Sequence, residues 1–566
     1  MKVEQFGSGE VRVACARFTL QFPPESPDCH LSFEGRDFAD LRIVSGVHGC
    51  EEKDASSAFS GPVIQQLDEM VVIRYFSSST LWDAKEYVFE VCEDHFAYQI
   101  EVEGTGSIDY VAYFDGSLSE GGPASLFRFS RVYTSEVTML DRRWKPSWEY
   151  SCIDAVSGPT SHFPCPPEEN NHWLFCPPPF VYSFAFQKNP VLGVGLAPET
   201  GTLGFTRFQY WPEGNCFSMR LTYDGYTRVE GAWASPRLVF TPANDHYQAV
   251  AQNATYLYAN GLAVRPKRAP ADWWSRPMFC GWGEQNMISA RLGGGGAPHA
   301  RQENYDHFME LLKERKLNPG TITIDDKWQS EYATFRPDPQ KWPDMRLWID
   351  ARHTEGKRVL LWMGLWSPEG LPEEECIREE STGRVVCADP SNPAYQKRLA
   401  DAVRFMVSGE GLDADGFKVD WTNGMPVGPG FSLHGPGWGM DLLKTLHRII
   451  YETAHTWKPD ALVVTHAANA QFADVTDMLR LNDISAVQRD VPRIMMHRQK
   501  LALAACSDWL IDCDNSSAPT RQEWLEYSKV QPELGVPSLY FLTGVDGTGE
   551  TIPLSDFEEL PDIWHA

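Results

Sequence analysis

The sequence has no run of 18 or more apolar residues, so no helix of it is expected to span a membrane. Its first residues, Met1 to Ser8, lack the apolar core of a signal peptide. It is short of positive charge, with 50 Lys and Arg against 77 Asp and Glu, net −27. Such a chain has no general attraction for nucleic acid or an anionic membrane surface. Its 13 cysteines form neither a CxxC pair nor a zinc-finger spacing, as Cys165/Cys176, Cys376/Cys387 and Cys506/Cys513 illustrate. They read as small buried hydrophobes in a reducing cytoplasm. The glycine run Gly293–Gly296 lacks the Gly-Lys-Ser/Thr of a phosphate loop and reads as a flexible loop after the first barrel strand. No Gly-x-Ser-x-Gly elbow occurs. What the sequence does have is aromatic residues, 12% of the chain with 20 Trp, and tryptophan faces stack on sugar rings or bases. The acidic balance tilts that choice toward sugars.

Two textures divide the 566 residues. In the first, apolar residues alternate with polar ones: Phe18, Leu20 and Phe22; Tyr87, Phe89 and Val91; Tyr98, Ile100 and Val102. Period-two runs separated by turn residues indicate half-buried antiparallel strands. Residues 1–264 are therefore expected to form a β-sandwich, with a long loop at Pro164–Pro179. The segment Arg265–Pro270 lies in an expected linker, residues 265–277. From 278 to 566 short apolar runs alternate with helical periodicity. The runs are Met278–Trp282, Thr321–Ile324, Arg358–Met363, Gly416–Val419, Ala461–Thr465, Met478–Leu481, Trp509–Ile511 and Pro537–Leu542. Tyr305, Phe308, Met309 and Leu312 fall on one helical face, as do Leu442, Leu443, Leu446, Ile449 and Ile450. Eight strands with intervening helices fit a (β/α)8 barrel. The interval from Thr465 to Met478 leaves room for only two or three helical turns.

Active sites of such barrels lie at the C-terminal ends of the strands. There the sequence places Asp325 and Asp326 after the second run, Trp362 in the third, Lys418, Asp420 and Trp421 at the fourth, and Arg480 and Asp483 at the sixth. Aspartate is a poor strand former, and its recurrence at three strand ends points to chemistry. Paired carboxylates can hydrolyse a glycoside: one attacks the anomeric carbon, the other protonates the leaving oxygen and then activates water. Lys418, two residues before Asp420 and on the same side of the strand, would keep Asp420 ionised. Asp483 fits the acid/base, with burial and a neighbouring carboxylate raising it and Arg480 pulling the other way. Trp362 and Trp421 would wall the sugar, and Asp325 and Asp326 would accept bonds from its hydroxyls. Two other readings stay open on the residues alone: helix capping by the aspartates, and a divalent metal held by them. His466, at the end of the fifth run, reads as a satisfied polar residue before a catalyst. His299 and His353 show no partner pattern.

These stations resemble, in order, the retaining α-glycosidases of the clan joining glycoside hydrolase families 27, 31 and 36. They are Gly281-Trp282, Ile324 to Trp328, Trp342-Pro343-Asp344, His353 to Gly356 with Arg358 to Trp362, Asp389 to Pro393, Gly416 to Asp420, and Arg480-Leu481-Asn482-Asp483. The resemblance spans Phe279 to Ile484. It implies a β-sandwich before the barrel, Asp420 as nucleophile, Asp483 as acid/base, and a sugar subsite lined by Asp325, Asp326, Trp362, Lys418 and Arg480; Trp421, Trp282 and His466, from their places at strand ends, are expected as further substrate-binding residues. No metal and no cofactor are implied. The tandem Asp with Lys-x-Asp-Trp is closer to family 36, whose members are mostly α-galactosidases, whereas Asp-Asp-Lys-Trp and Gly-Phe-Lys also occur in family 31. Two departures stand out. The C-terminal β-domain usual in families 31 and 36 is not expected after Thr543, and Thr465–Asn469 replaces a Cys-Ser-Gly-Gly-like segment that approaches the sugar 2-position. The expected activity is exo-hydrolysis of terminal α-galactosides in oligosaccharides or glycoconjugates. An α-glucosidase, α-xylosidase or α-N-acetylgalactosaminidase, a non-catalytic carbohydrate-binding protein, and a metal-dependent enzyme of free sugars are the alternatives. A homo-oligomer is left open.

Overall fold

The computed structural model describes all residues except 25, 117–124, 128–135, 138–151, 155–157, 160–174, 186–189, 200–201, 214–215, 482, 485–489, 515 and 566. For 125–127, 136–137, 152–154, 158–159, 185, 212–213 and 565 it describes the backbone alone. Most of the loop expected at Pro164–Pro179 therefore lies outside the described residues.

The N-terminal part is built of antiparallel strands, and the alternation in the sequence is the cause. In strand Phe18–Phe22 the side chains of Phe18, Leu20 and Phe22 are buried while Thr19 and Gln21 are half-buried. The long strand Phe96–Tyr113 is the trunk: it pairs antiparallel with Cys216–Ala234, Ala84–Val91, Arg237–Ala243 and Gly46–His48. Its inward residues Tyr98 and Ile100 meet Phe89, Phe114 and Phe240 in one aromatic-rich core. Each such side chain taken fully from water contributes about 1.5–3 kcal/mol before chain entropy is subtracted. A helix, His246–Ala259, follows the last of these strands. Asp245 caps it by accepting from the Gln248 amide at 2.9 Å.

All eight barrel strands form where the apolar runs lie. They are Met278–Cys280, Thr321–Ile324, Arg358–Gly364, Gly416–Asp420, Leu462–Thr465, Met478–Arg480, Leu510–Asp512 and Ser538–Leu539. They run parallel and neighbour one another in chain order. The first also pairs with the eighth through Met278 and Ser538, and a parallel bridge between Asp512 and Val536 joins the seventh to the eighth and closes the ring. Parallel strands covered on both faces read as continuous apolar runs, which is why Thr321–Ile324 and Leu462–Thr465 are buried at every position.

Several details differ from the sequence reading. Trp282 opens the first barrel helix, Trp282–Leu292, and does not end the first barrel strand. Gly293–Gly296 consequently follows that helix, and Gly293, Gly294 and Gly295 adopt positive φ of 81°, 90° and 76°, which glycine takes without a Cβ clash. On helix Gln302–Glu314 it is Leu311, with Tyr305, Phe308 and Leu312, that is buried, and Met309 sits at the edge. The short interval before the sixth strand holds a 3-10 helix of six residues, Ala470–Val475.

The two parts meet above the barrel mouth. The Tyr226 ring stacks on Trp438 with centroids 3.8 Å apart, and the Phe431 amide donates to the Tyr226 hydroxyl at 2.8 Å. On the other side the Cys176 amide donates to the His466 carbonyl at 3.0 Å, and Asn469 donates to the Pro178 carbonyl at 2.9 Å. The N-terminal part thereby anchors the loop that carries His466.

Candidate active site

The strand ends bring two charged networks together. The first forms the floor. Lys418 points inward from the fourth strand and its Nζ meets Asp325 Oδ2 at 2.8 Å, with both side chains almost fully buried. Cys280, ending the first strand, donates its thiol to the same oxygen at 3.0 Å, and Lys418 donates to the Cys280 sulfur at 3.6 Å. The Asp325 amide donates to the Tyr305 hydroxyl at 2.8 Å, and that hydroxyl donates to Gln285 at 2.9 Å. Burial opposes the charge on Lys418, but Asp325 beside it outweighs burial and holds the ammonium protonated. Lys418 thus pairs directly with Asp325, and its charge reaches Asp420 through space in the expected direction, helping to hold that carboxyl ionised.

The second network is organised by Arg480, which is fully buried. Its Nε donates to Asp514. Its Nη2 donates to Asp483 Oδ1 at 2.7 Å, and its Nη1 lies 3.4 Å from Asp420 Oδ1. One planar guanidinium therefore serves three carboxyls, a task for which its fixed donor geometry is suited and an ammonium is not. Asp420 also accepts from the Trp362 indole at 3.0 Å and from the Trp421 amide at 2.9 Å. Ser516 donates a further hydrogen bond to Asp483.

These surroundings push the two carboxyls apart. Burial would raise Asp420, but Arg480, then His466, Lys418 and the Trp362 indole, outweigh it and hold the group well below the usual carboxylate range. Asp483 is raised, by burial and by the nearby charges of Asp514 and Asp420, against the pull of Arg480. One group is thereby an anion that can attack, the other a proton carrier. Asp326 is pushed up to about 7 by burial and then by Asp325 and Asp420, and its buried Oδ1 has no hydrogen-bond partner.

Around this pair stands an aromatic wall. Trp362 and Trp421 pack edge to face at 4.9 Å, and Tyr332 lies 4.7 Å from Trp421 and 5.9 Å from Trp362. Trp421 is 36% exposed and presents its ring to solvent at the mouth. His466 accompanies Asp420, with Nδ1 3.9 Å from Oδ1 and Nε2 bonded to Thr422. Burial and Arg480 push it down to about 4, so it is neutral near pH 7. The Trp282 ring packs against Gly296, where an added Cβ would lie 2.9 Å from it. Trp328 is fully buried and donates to the Trp362 carbonyl at 2.9 Å, bracing the wall from behind.

The residues not foreseen are Asp514, Ser516, Cys280 and Tyr332. Among the described residues, the buried polar atoms without a hydrogen-bond partner include Asp326 Oδ1 and His466 Nδ1 at this site. Asp325, Asp326, Asp420 and Asp483 are N-caps of none of the described barrel helices. His353, outside the site, pairs with Asp415 at 2.7 Å.

No protein-family model matches the sequence, and no curated protein matches it. Solved structures do match its fold. A GH31-family sulfoquinovosidase from E. rectale, in complex with an aza-sugar inhibitor, superposes with a TM-score of 0.61 at 10% identity, covering 100% of this chain and 82% of that one. A GH31 dextranase from Flavobacterium johnsoniae, complexed with glucose, gives 0.52 at 12% identity, covering 100% and 67%. An α-galactosidase from Lactobacillus brevis gives 0.50 at 10% identity, covering 100% and 84%. The chain has the antiparallel N-terminal part and parallel barrel of these glycoside hydrolases, and the resemblance carried by the motifs holds at the level of fold.

Proposed function

We propose that the chain is a retaining exo-α-glycosidase that removes terminal α-linked sugars, with Asp420 as nucleophile and Asp483 as acid/base. The observation that carries this is the pair of carboxyls held on adjacent nitrogens of Arg480 yet displaced in opposite directions from the ordinary carboxylate range. Asp420 attacks the anomeric carbon while Asp483 gives its proton to the departing oxygen. Asp483 then takes a proton from water, which releases the sugar from Asp420 with its original configuration. Carboxyls bridged by one side chain favour the short spacing of retaining enzymes, about 5–5.5 Å, over the wider one of inverting enzymes.

The charge at the mouth supports a neutral sugar. Asp325, Asp326, Asp420, Asp483 and Asp514 face three cations: Lys418 and Arg480 are already paired with these carboxyls, and Arg498 donates to the Leu481 and Asp483 carbonyls. Lys327, nearby, is held by Glu369 at 2.6 Å. A sulfonated or carboxylated sugar would meet no uncommitted cation among these described residues. Among neutral sugars, the tandem Asp and Lys-x-Asp-Trp motif support an α-galactoside. The fold likeness to the GH31 dextranase supports an α-glucoside as the second reading.

Nitrophenyl α-galactoside, α-glucoside, α-xyloside and α-N-acetylgalactosaminide distinguish these. Asp420→Ala should nearly abolish turnover, and azide should restore it with a glycosyl azide as product. Wild-type activity in Asp420→Ala, or an inverted first product by NMR, would refute the mechanism. Binding of a sugar without any turnover would favour a carbohydrate-binding protein instead.

A further inference from the structure

Behind the catalytic pair lies a carboxylate that no sugar can reach. Asp514 follows the seventh strand, is fully buried, and receives the Nε of Arg480. Because a guanidinium is planar and rigid, fixing Nε also fixes the directions of both Nη groups. Those groups are the ones that meet Asp483 at 2.7 Å and Asp420 at 3.4 Å. We propose that Asp514 is a positioning residue of the catalytic pair: it aims the Arg480 fork and takes up part of its charge, so that Asp483 keeps a proton that Asp420 gives up. The inference rests on the glycosidase reading above and deepens it.

The charges facing Asp483 make the argument specific. Arg480, Lys418 and Arg498 are the cations near it, the last through a bond from its Nη1 to the Asp483 carbonyl at 2.8 Å. Asp514 and Asp420 are the anions. Without Asp514 two effects act in the same direction. A negative neighbour that favours the protonated form of Asp483 disappears, and Arg480 is left with its full charge for Asp483 and Asp420. Asp512, two residues earlier on the same inward side, does not compete for Arg480. Burial and Asp514 push it up to about 8, so it is neutral near pH 7. The seventh strand thus supplies one charged and one uncharged carboxyl, and only the charged one touches the fork.

The test is the pH dependence of kcat/KM on whichever nitrophenyl glycoside the wild type hydrolyses. Asp514→Asn should move the alkaline limb down by about one pH unit, which at a pH one unit above the original limb is about a tenfold loss. KM should change little, because Asp514 touches no substrate. Asp512→Asn, which copies a protonated acid, should keep the wild-type profile. Arg480→Lys retains a charge but cannot reach three carboxyls, so it should move the limbs upward, opposite to Asp514→Asn. Folded Asp514→Asn with wild-type limbs would overturn the proposal. If that variant does not fold, Arg480→Lys with unmoved limbs would do so. A titration of the Asp483 carboxyl by 13C NMR, in wild type and Asp514→Asn, needs no turnover. If the wild type cleaves none of the glycosides, the glycosidase reading fails, while this titration still decides whether Asp514 governs Asp483.

Discussion

Replacing Lys418 by Met removes a charge from the floor of the barrel while nearly preserving volume. The 2.8 Å separation from Asp325 corresponds to about 6 kcal/mol of attraction at an effective dielectric constant of 20. Several kcal/mol of desolvation per ion offset most of this, so the intact pair adds little net stability. Breaking it is different, because Asp325 stays buried, 3% exposed at its side chain, with its desolvation unrepaid. The Cys280 thiol is a weak donor and cannot substitute. The expected loss is therefore about 3–5 kcal/mol, a large part of the 5–15 kcal/mol that typically holds a domain folded. Lys418→Met/Asp325→Asn should recover much of it, since no uncompensated charge remains. Urea denaturation of wild type, both single variants and the double variant forms the cycle. Lys418→Met within about 1 kcal/mol of wild type, or a double variant no more stable than Lys418→Met, would refute the floor argument.

Asp326, pushed up to about 7 by burial, holds a proton in the folded state that it loses near pH 4 when unfolded. Its contribution is thus fully present at low pH and is lost as pH rises from about 4 to about 7. Asp326→Asn should match wild type near pH 4 and exceed it at pH 8 by at most about 4 kcal/mol, in thermal or urea unfolding, while KM rises because one of the two carboxyl oxygens open to a sugar hydroxyl becomes an amide donor. Equal stability at both pH values would contradict the assignment. Trp421→Ala removes an exposed ring, so unfolding should shift by under about 1 kcal/mol. Its KM should rise by about 5–10-fold, the worth of one aromatic contact, and steady-state kinetics read this directly. Asp420→Ala with azide rescue, described above, checks the nucleophile separately.

The barrel was legible because every one of its strands is a short apolar run bounded by turn or helix signals. Strands buried on both faces need no subtler code. Boundaries were less legible. Trp282 continues an apolar run by composition, yet it lies in a helix because Gly281 already adopts helical φ and ψ. The 3-10 helix Ala470–Val475 was legible only as a shortage of residues. The pairing of Phe96–Tyr113 with four separated strands was not legible at all, since register across such sequence distances depends on contacts that no local pattern records.

The site divides along a similar line. Carboxylates at the second, fourth and sixth strand ends stood out because aspartate interrupts an apolar run abruptly. The seventh strand carried the same signal: Asp512-Cys513-Asp514 places two carboxyls on one side of an extended chain, with a buried thiol between them. Read locally, that triplet is only a polar strand end. Its meaning comes from Arg480, whose Nε direction could be satisfied by any of several acidic residues and is settled only by barrel closure, which sets Arg480 opposite Asp512 in register. The same closure explains Lys418. Two residues from Asp420 and on the same side, it reads as that residue's counter-charge. The second strand lies two places round the barrel, however, and its Asp325 approaches closer than Asp420, which sits one strand step farther toward the mouth. Side chains that alternate along one strand are assigned their partners by neighbouring strands, so a single strand's sequence indicates which residues enter the barrel but not which charge each one meets.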